Sequence, residues 1–102
     1  MKLYDKLIRD KIPEIINSKG KNYAIRIAGD MEYKDMLRRK LLEEAEEFQD
    51  EPCKEELADV LEVFYAILQA EGFSLDDVEK VRQKKAAERG AFNKKIILEK
   101  VY

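Results

Sequence analysis

The sequence predicts a mainly α-helical protein: an antiparallel helical hairpin with further helices in a bundle, and a minor two-stranded β element at about 23–28 and 95–101. Three observations carry this expectation. Two long stretches, 30–49 and 53–71, repeat apolar residues at helical spacing and are separated by the breaker "DEPC". Charged residues reach 41% of the chain, well above the usual quarter, which suits the solvated faces of long helices. Only "YAIRIAG" and "KKIILEKVY" are short β-rich runs of the kind that form strands.

The elements follow in order. In "YDKLIRDKIPEIINS" (4–18), Pro13 is tolerated only in a first turn, so the spacing predicts a turn and then a short helix from about Pro13 to Ser18. "SKGK" reads as a turn, and 23–28 as a strand. Asp30 is suited to cap the next helix, and Glu32 suits its positive first turn. That helix runs to about Gln49. Pro52 fits the first turn of a second long helix, 53–71, which Gly72 ends. "SLDD" has a capping-box shape with Ser74 as cap, and the helix it opens runs to about Arg89 before Gly90. The closing run, 95–101, is expected to pair with 23–28. With 102 residues, no repeat and no linker composition, residues 1–102 are expected to form one domain.

Composition excludes several functions. The chain has no histidine, so neither a Ser-His-Asp nor a Cys-His nucleophile can be built, and histidine zinc sites are out. One cysteine, Cys53, makes no intrachain disulfide, which points to a reducing compartment, the cytoplasm. No run approaches a membrane span, and the first residues lack the apolar core of a signal peptide. A net charge of −2 with no patterned basic–aromatic face argues against nucleic acid or membrane as a partner.

The acidic stretch "LLEEAEEFQDEPCKEELADVLE" (41–62) divides by helical phase. At about 100° per residue, Glu44 falls within about 20° of Leu37, in the apolar stripe with Tyr33, Leu41 and Phe48. Glu47 lies along the seam beside Lys40, while Glu43 and Glu46 face away. On the next helix Glu56 falls inside the apolar arc of Leu57, Val60, Leu61, Val63, Phe64, Ile67 and Leu68, and Asp59 about 40° beyond its edge, with Glu55 and Glu62 opposite. An antiparallel hairpin turning near Glu51 brings Glu44/Glu47 level with Glu56/Asp59. Four carboxylates in one small volume must be neutralised by protons or cations, and oxygen-only ligands favour Mg²⁺ or Mn²⁺. The alternative is ordinary: Glu and Lys fill helix surfaces, and Lys40 can pair with Glu44 across one turn. Periodicity alone leaves both open.

At these residues the chain resembles the all-α nucleoside triphosphate pyrophosphohydrolases, the MazG-like superfamily, whose signature is E-x-x-E, a spacer and E-x-x-D. Here it reads "EAEE" (44–47) and "ELAD" (56–59), preceded by "KLLE" (40–43). "YDKLIRDKIPEII" and "KKAAERGAFNKKIIL" extend the likeness over nearly the whole chain, towards a small phosphoribosyl-ATP pyrophosphohydrolase-like subfamily. The eight-residue spacer 48–55 is shorter than in many members. The resemblance implies that Glu44, Glu47, Glu56 and Asp59 bind Mg²⁺, with Mn²⁺ as a substitute. It also implies cleavage between the α and β phosphates of a nucleotide, giving a monophosphate and pyrophosphate. One of the four, or Glu43 at their border, would take the proton of the attacking water. Lys40, Lys84, Arg89, Lys94, Arg9 and Lys11 are the candidates for binding phosphate, and a homodimer or higher homo-oligomer is implied. The competing expectation is a non-catalytic helical dimerisation or interaction module that keeps the acidic cluster as a remnant.

Overall fold

A computed structural model describes all of residues 1–102 and contains four helices and no strand: α1 Ile12–Ser18, α2 Asp30–Asp50, α3 Lys54–Glu71 and α4 Leu75–Arg89. The mainly α expectation is met. The chain groups into two compact units, Met1–Gly72 and Phe73–Tyr102. No helix is long and apolar enough to cross a membrane.

In the first unit, α1 is a seven-residue helix with Pro13 in its opening turn, where a missing N–H costs nothing. Its end is closed by Ser18 Oγ donating to the Ile15 carbonyl (2.7 Å) and by Gly20 at φ 72°. The long helix α2 starts one residue earlier than expected. Gly29 is the N-cap and Asp30 is already helical, so Asp30 acts with Glu32 as first-turn charge rather than as the cap. Pro52 is likewise displaced: Cys53 caps α3, and Pro52 stands just outside the helix. There it stops α2, since the residue before a proline is pushed out of helical geometry. Gly72, at φ 72°, adopts the left-handed conformation that closes α3, with its N–H donating to the Gln69 carbonyl (3.3 Å).

The helices α2 and α3 pack against each other, joined by Glu51–Cys53. Lys34 and Arg38 near the start of α2 reach Glu71 at the end of α3 (4.0 and 3.6 Å), so the two run in opposite directions. Leu37, Val63 and Leu68 are the buried apolar residues, and Tyr33, Leu41, Phe48, Val60, Phe64 and Ile67 are half-buried around them. The expected stripe of α2 is therefore the observed one. On α3 the buried arc is narrower than expected, because Leu57 and Leu61 lie about half exposed.

Neither 23–28 nor 95–101 forms a strand. A strand needs a ladder partner to satisfy its backbone, and neither segment has one. Residues 21–29 are instead tethered by side chains: Arg26 grips Glu32 in the first turn of α2 through both carboxylate oxygens, and its hydrogen bonds hold Glu32 below the usual carboxylate range. Ile25 and Ile27 point into open solvent.

In the second unit, Ser74 Oγ accepts from the Asp77 N–H (3.0 Å), the cap that "SLDD" announces. Arg82 and Glu79 pair one turn apart, and Gly90, at φ 84°, ends α4. Beyond it, a turn at 93–94 leads into a tail without regular structure, in which Ile96, Ile97, Leu98 and Val101 are exposed.

Two substitutions test this packing by thermal unfolding. Leu37→Ala, at the most buried position, should cost about 2–5 kcal/mol. Ser74→Ala should cost only about 1 kcal/mol, so equal losses would contradict the placement of the core.

Candidate metal centre

The antiparallel contact of α2 and α3 places four carboxylates together. One oxygen from each of Glu44, Glu47, Glu56 and Asp59 lies within 4.8 Å of each of the others. The i, i+3 spacing supplies two oxygens from one face of each helix, and the short connection brings the two faces level. Glu44 is 8% exposed, Glu56 and Asp59 are half-buried, and Glu47 is open to solvent. Water can therefore reach the cluster from the Glu47 side.

Two carboxylate oxygens, Glu44 Oε2 and Glu56 Oε2, are buried without any hydrogen-bond partner. Such a group costs about 1–3 kcal/mol, and more when charged. Protons or cations must offset that cost. Burial, the nearby Glu47 and, to a lesser degree, Asp59 push the Glu44 pKa up, while Lys40 pulls it down. With both ionised, Glu44 and Glu47 have no donor between them. A proton on Glu44 supplies one, which is why Glu47 raises that pKa.

Three cations border the cluster. Lys40 Nζ stands 3.5 Å from both Glu43 and Glu44, Lys6 Nζ is 3.1 Å from Glu43, and Arg9 is 2.7 Å from Asp59. Five carboxylates face these three cations, which leaves two negative charges, the charge that one divalent cation neutralises. The donors are all hard oxygens, suited to Mg²⁺, Mn²⁺ or Ca²⁺ rather than softer metals. At oxygen distances of about 2.1 Å for Mg²⁺ and 2.4 Å for Ca²⁺, opposite ligands stand about 4.2 and 4.8 Å apart. The four residues fit a divalent cation by charge, donor type and spread.

The other expected site residues fall out unevenly. Glu43 leans out of the cluster as its helical phase requires, and Lys6 and Lys40 clamp it. Its burial opposes ionisation, but the two lysines outweigh that and hold its pKa below the usual range. Lys40 and Arg9 both touch the cluster, as ion-pair partners of its carboxylates. Lys11 caps α1, exposed and without an ion pair. Lys84 and Arg89 on α4 and Lys94 in the turn beyond belong to the second unit, all exposed and unpaired. Lys6 was not anticipated. Its segment is not helical, so phase could not aim it. The only available signal was its spacing of three from Arg9 in "KLIR".

No family model, curated protein or solved structure matches the chain.

The raised pKa sets a sign for pH dependence. Glu44 holds its proton more tightly folded than unfolded, so its contribution is complete below the ordinary value of 4.5 and is lost as pH rises through its folded pKa. Glu44→Gln should remove that loss, raising the metal-free unfolding midpoint near neutral pH by a few degrees, since about 1 kcal/mol moves a domain this size about 4–8 °C. The gain should vanish near pH 4. A midpoint below wild type at neutral pH would show that the carboxylates are not in conflict.

Proposed function

We propose that the chain is a MazG-like nucleotide pyrophosphohydrolase, dependent on Mg²⁺ or Mn²⁺, that cleaves a nucleoside triphosphate or a related nucleotide between its α and β phosphates. The observation that carries this reading is the cluster of Glu44, Glu47, Glu56 and Asp59, with two buried oxygens left unpartnered and two negative charges uncompensated. Its residues are those of the paired E-x-x-E and E-x-x-D motif. Bound there, a divalent cation supplies Lewis acidity to phosphate oxygens and lowers the pKa of water.

The chain's own groups divide the remaining work. Glu47, the exposed member of the four, is the carboxylate that solvent reaches and is placed to accept a proton from an attacking water. Glu43 is poorly suited to that task, because Lys6 and Lys40 hold it ionised as a bridge between two ammonium groups. Lys40, half-buried at the border of the cluster, is the expected phosphate-binding cation that the site's own geometry supports best. Once Glu44 and its neighbours are neutralised, its charge is free to face developing phosphate charge. The half-buried, lone Cys53 accords with a cytoplasmic setting.

A second reading, a non-catalytic interaction module, draws on a different observation. Leu57, Leu61 and Tyr65 repeat every four residues along α3 and are about half exposed, an apolar stripe with no covering partner in the unit. A second copy of the chain is the simplest occupant under either reading.

The two readings part on activity. With Mg²⁺ and a panel of canonical, modified and deoxynucleotides, the enzyme should release pyrophosphate. Glu44→Gln and Asp59→Asn should each lose about 100-fold or more, at least the loss seen for outer-shell metal partners. No pyrophosphate from any nucleotide with either metal would end the catalytic reading. Light scattering should find at least a dimer, which Leu61→Lys should dissociate. A wild-type monomer would end the homo-oligomer expectation.

A further inference from the structure

Arg9 belongs to neither long helix. It lies in the irregular segment before α1, fifty residues from Asp59 in sequence, yet its guanidinium reaches the Asp59 carboxylate at 2.7 Å. Three residues earlier, Lys6 reaches Glu43 at 3.1 Å. The segment is thus strapped across the α2–α3 pair at two points, one of them a carboxylate of the cluster.

Both straps are exposed. The Arg9 and Asp59 side chains are 57% and 37% exposed, and those of Lys6 and Glu43 are 45% and 31%. Ion pairs so open to water are weak and exchange readily. A strap of this kind can neutralise excess charge without locking the site.

We propose that Arg9 is a resident counter-ion of the carboxylate cluster that competes with a divalent cation for Asp59, so that cation binding releases the strap. The proposal rests on the reading of the cluster as a divalent-cation site. With Arg9 in place the cluster carries two uncompensated negative charges, and without it three. A guanidinium on Asp59 also repels an incoming cation and occupies an oxygen that would ligate it. Each binding event therefore weakens the other, as linkage requires. The device gives the empty site a stabilising partner that leaves when the cation arrives.

Calorimetric titration of the full chain with MgCl₂, and separately with MnCl₂, tests this without any measurement of catalysis. Arg9→Gln should bind the cation about two- to fivefold more tightly than wild type, the range set by the strength of an exposed ion pair. Arg9→Lys, which keeps the charge, should stay close to wild type. Hydrogen exchange at the Ile12 amide, which donates to the Arg9 carbonyl (3.1 Å), should quicken when the cation is added to wild type. With wild type binding, equal binding by Arg9→Gln would mean that Arg9 does not compete with the cation, and weaker binding that it orients Asp59 as a ligand; either result would overturn the proposal. If neither protein binds Mg²⁺ or Mn²⁺, the cation-site reading itself fails, and the proposal with it.

Discussion

Glu44 occupies the seam where α2 meets α3, two turns along the same face from Leu37, and it is buried nearly as deeply as the apolar residues around it. A carboxylate in that place is tolerated only if its charge is met. Much of the surrounding arrangement follows from this demand. Lys40, one turn earlier, reaches forward along the helix to Glu43 and Glu44. Glu43 in turn meets Lys6, and Asp59 meets Arg9, so two exposed long-range ion pairs draw the segment before α1 to the helix pair. The buried apolar set of the unit is small, Leu37, Val63 and Leu68, and a charged residue sits among them. A helix pair built only for stability would place leucine there. The cost retained at Glu44 is what makes the cluster a candidate for chemistry rather than a solvated acidic face.

Charge within the site is graded rather than uniform. Lysines hold Glu43 ionised and burial favours the proton on Glu44, although the two are adjacent in sequence and differ only in helical phase. Neighbouring carboxylates with opposed environments are how a single helix separates a structural charge from a reactive one. The open side at Glu47 and the closed side at Glu44 give the cluster a direction from which water and a ligand can enter.

Much of this was legible in residue spacing. Phase placed Glu44 with Leu37 and Phe48, and separated it from Glu46, because helical geometry is regular and α2 is unbroken for 21 residues. The breakers before α3 and at Gly72 were equally plain, though cap positions slipped by one or two residues at Asp30 and Pro52, where backbone geometry rather than residue type decides. What spacing could not reach was anything outside a regular element. The runs 23–28 and 95–101 carry β-branched residues, yet propensity without a paired neighbour makes no strand. Arg26 spends its charge on Glu32 instead. Lys6 and Arg9 contact carboxylates 37 and 50 residues away from a segment without periodicity, so no local pattern announces them. The exposure of Leu57 and Leu61 also escaped, because phase gives a direction and not the reach of the facing helix.

If the two unpartnered buried oxygens belong to a divalent-cation site, thermal unfolding of the wild-type chain must respond to the cation. Melting should be followed as MgCl₂ is titrated, against NaCl of matched ionic strength. A cation bound only by the folded state raises the midpoint continuously with its concentration, by on the order of 10 °C at a hundredfold excess over its dissociation constant. The same rise should be absent in NaCl and in the Glu44→Gln, Asp59→Asn double variant. A midpoint that moves equally in both salts, or in neither, would mean that these oxygens hold no divalent cation.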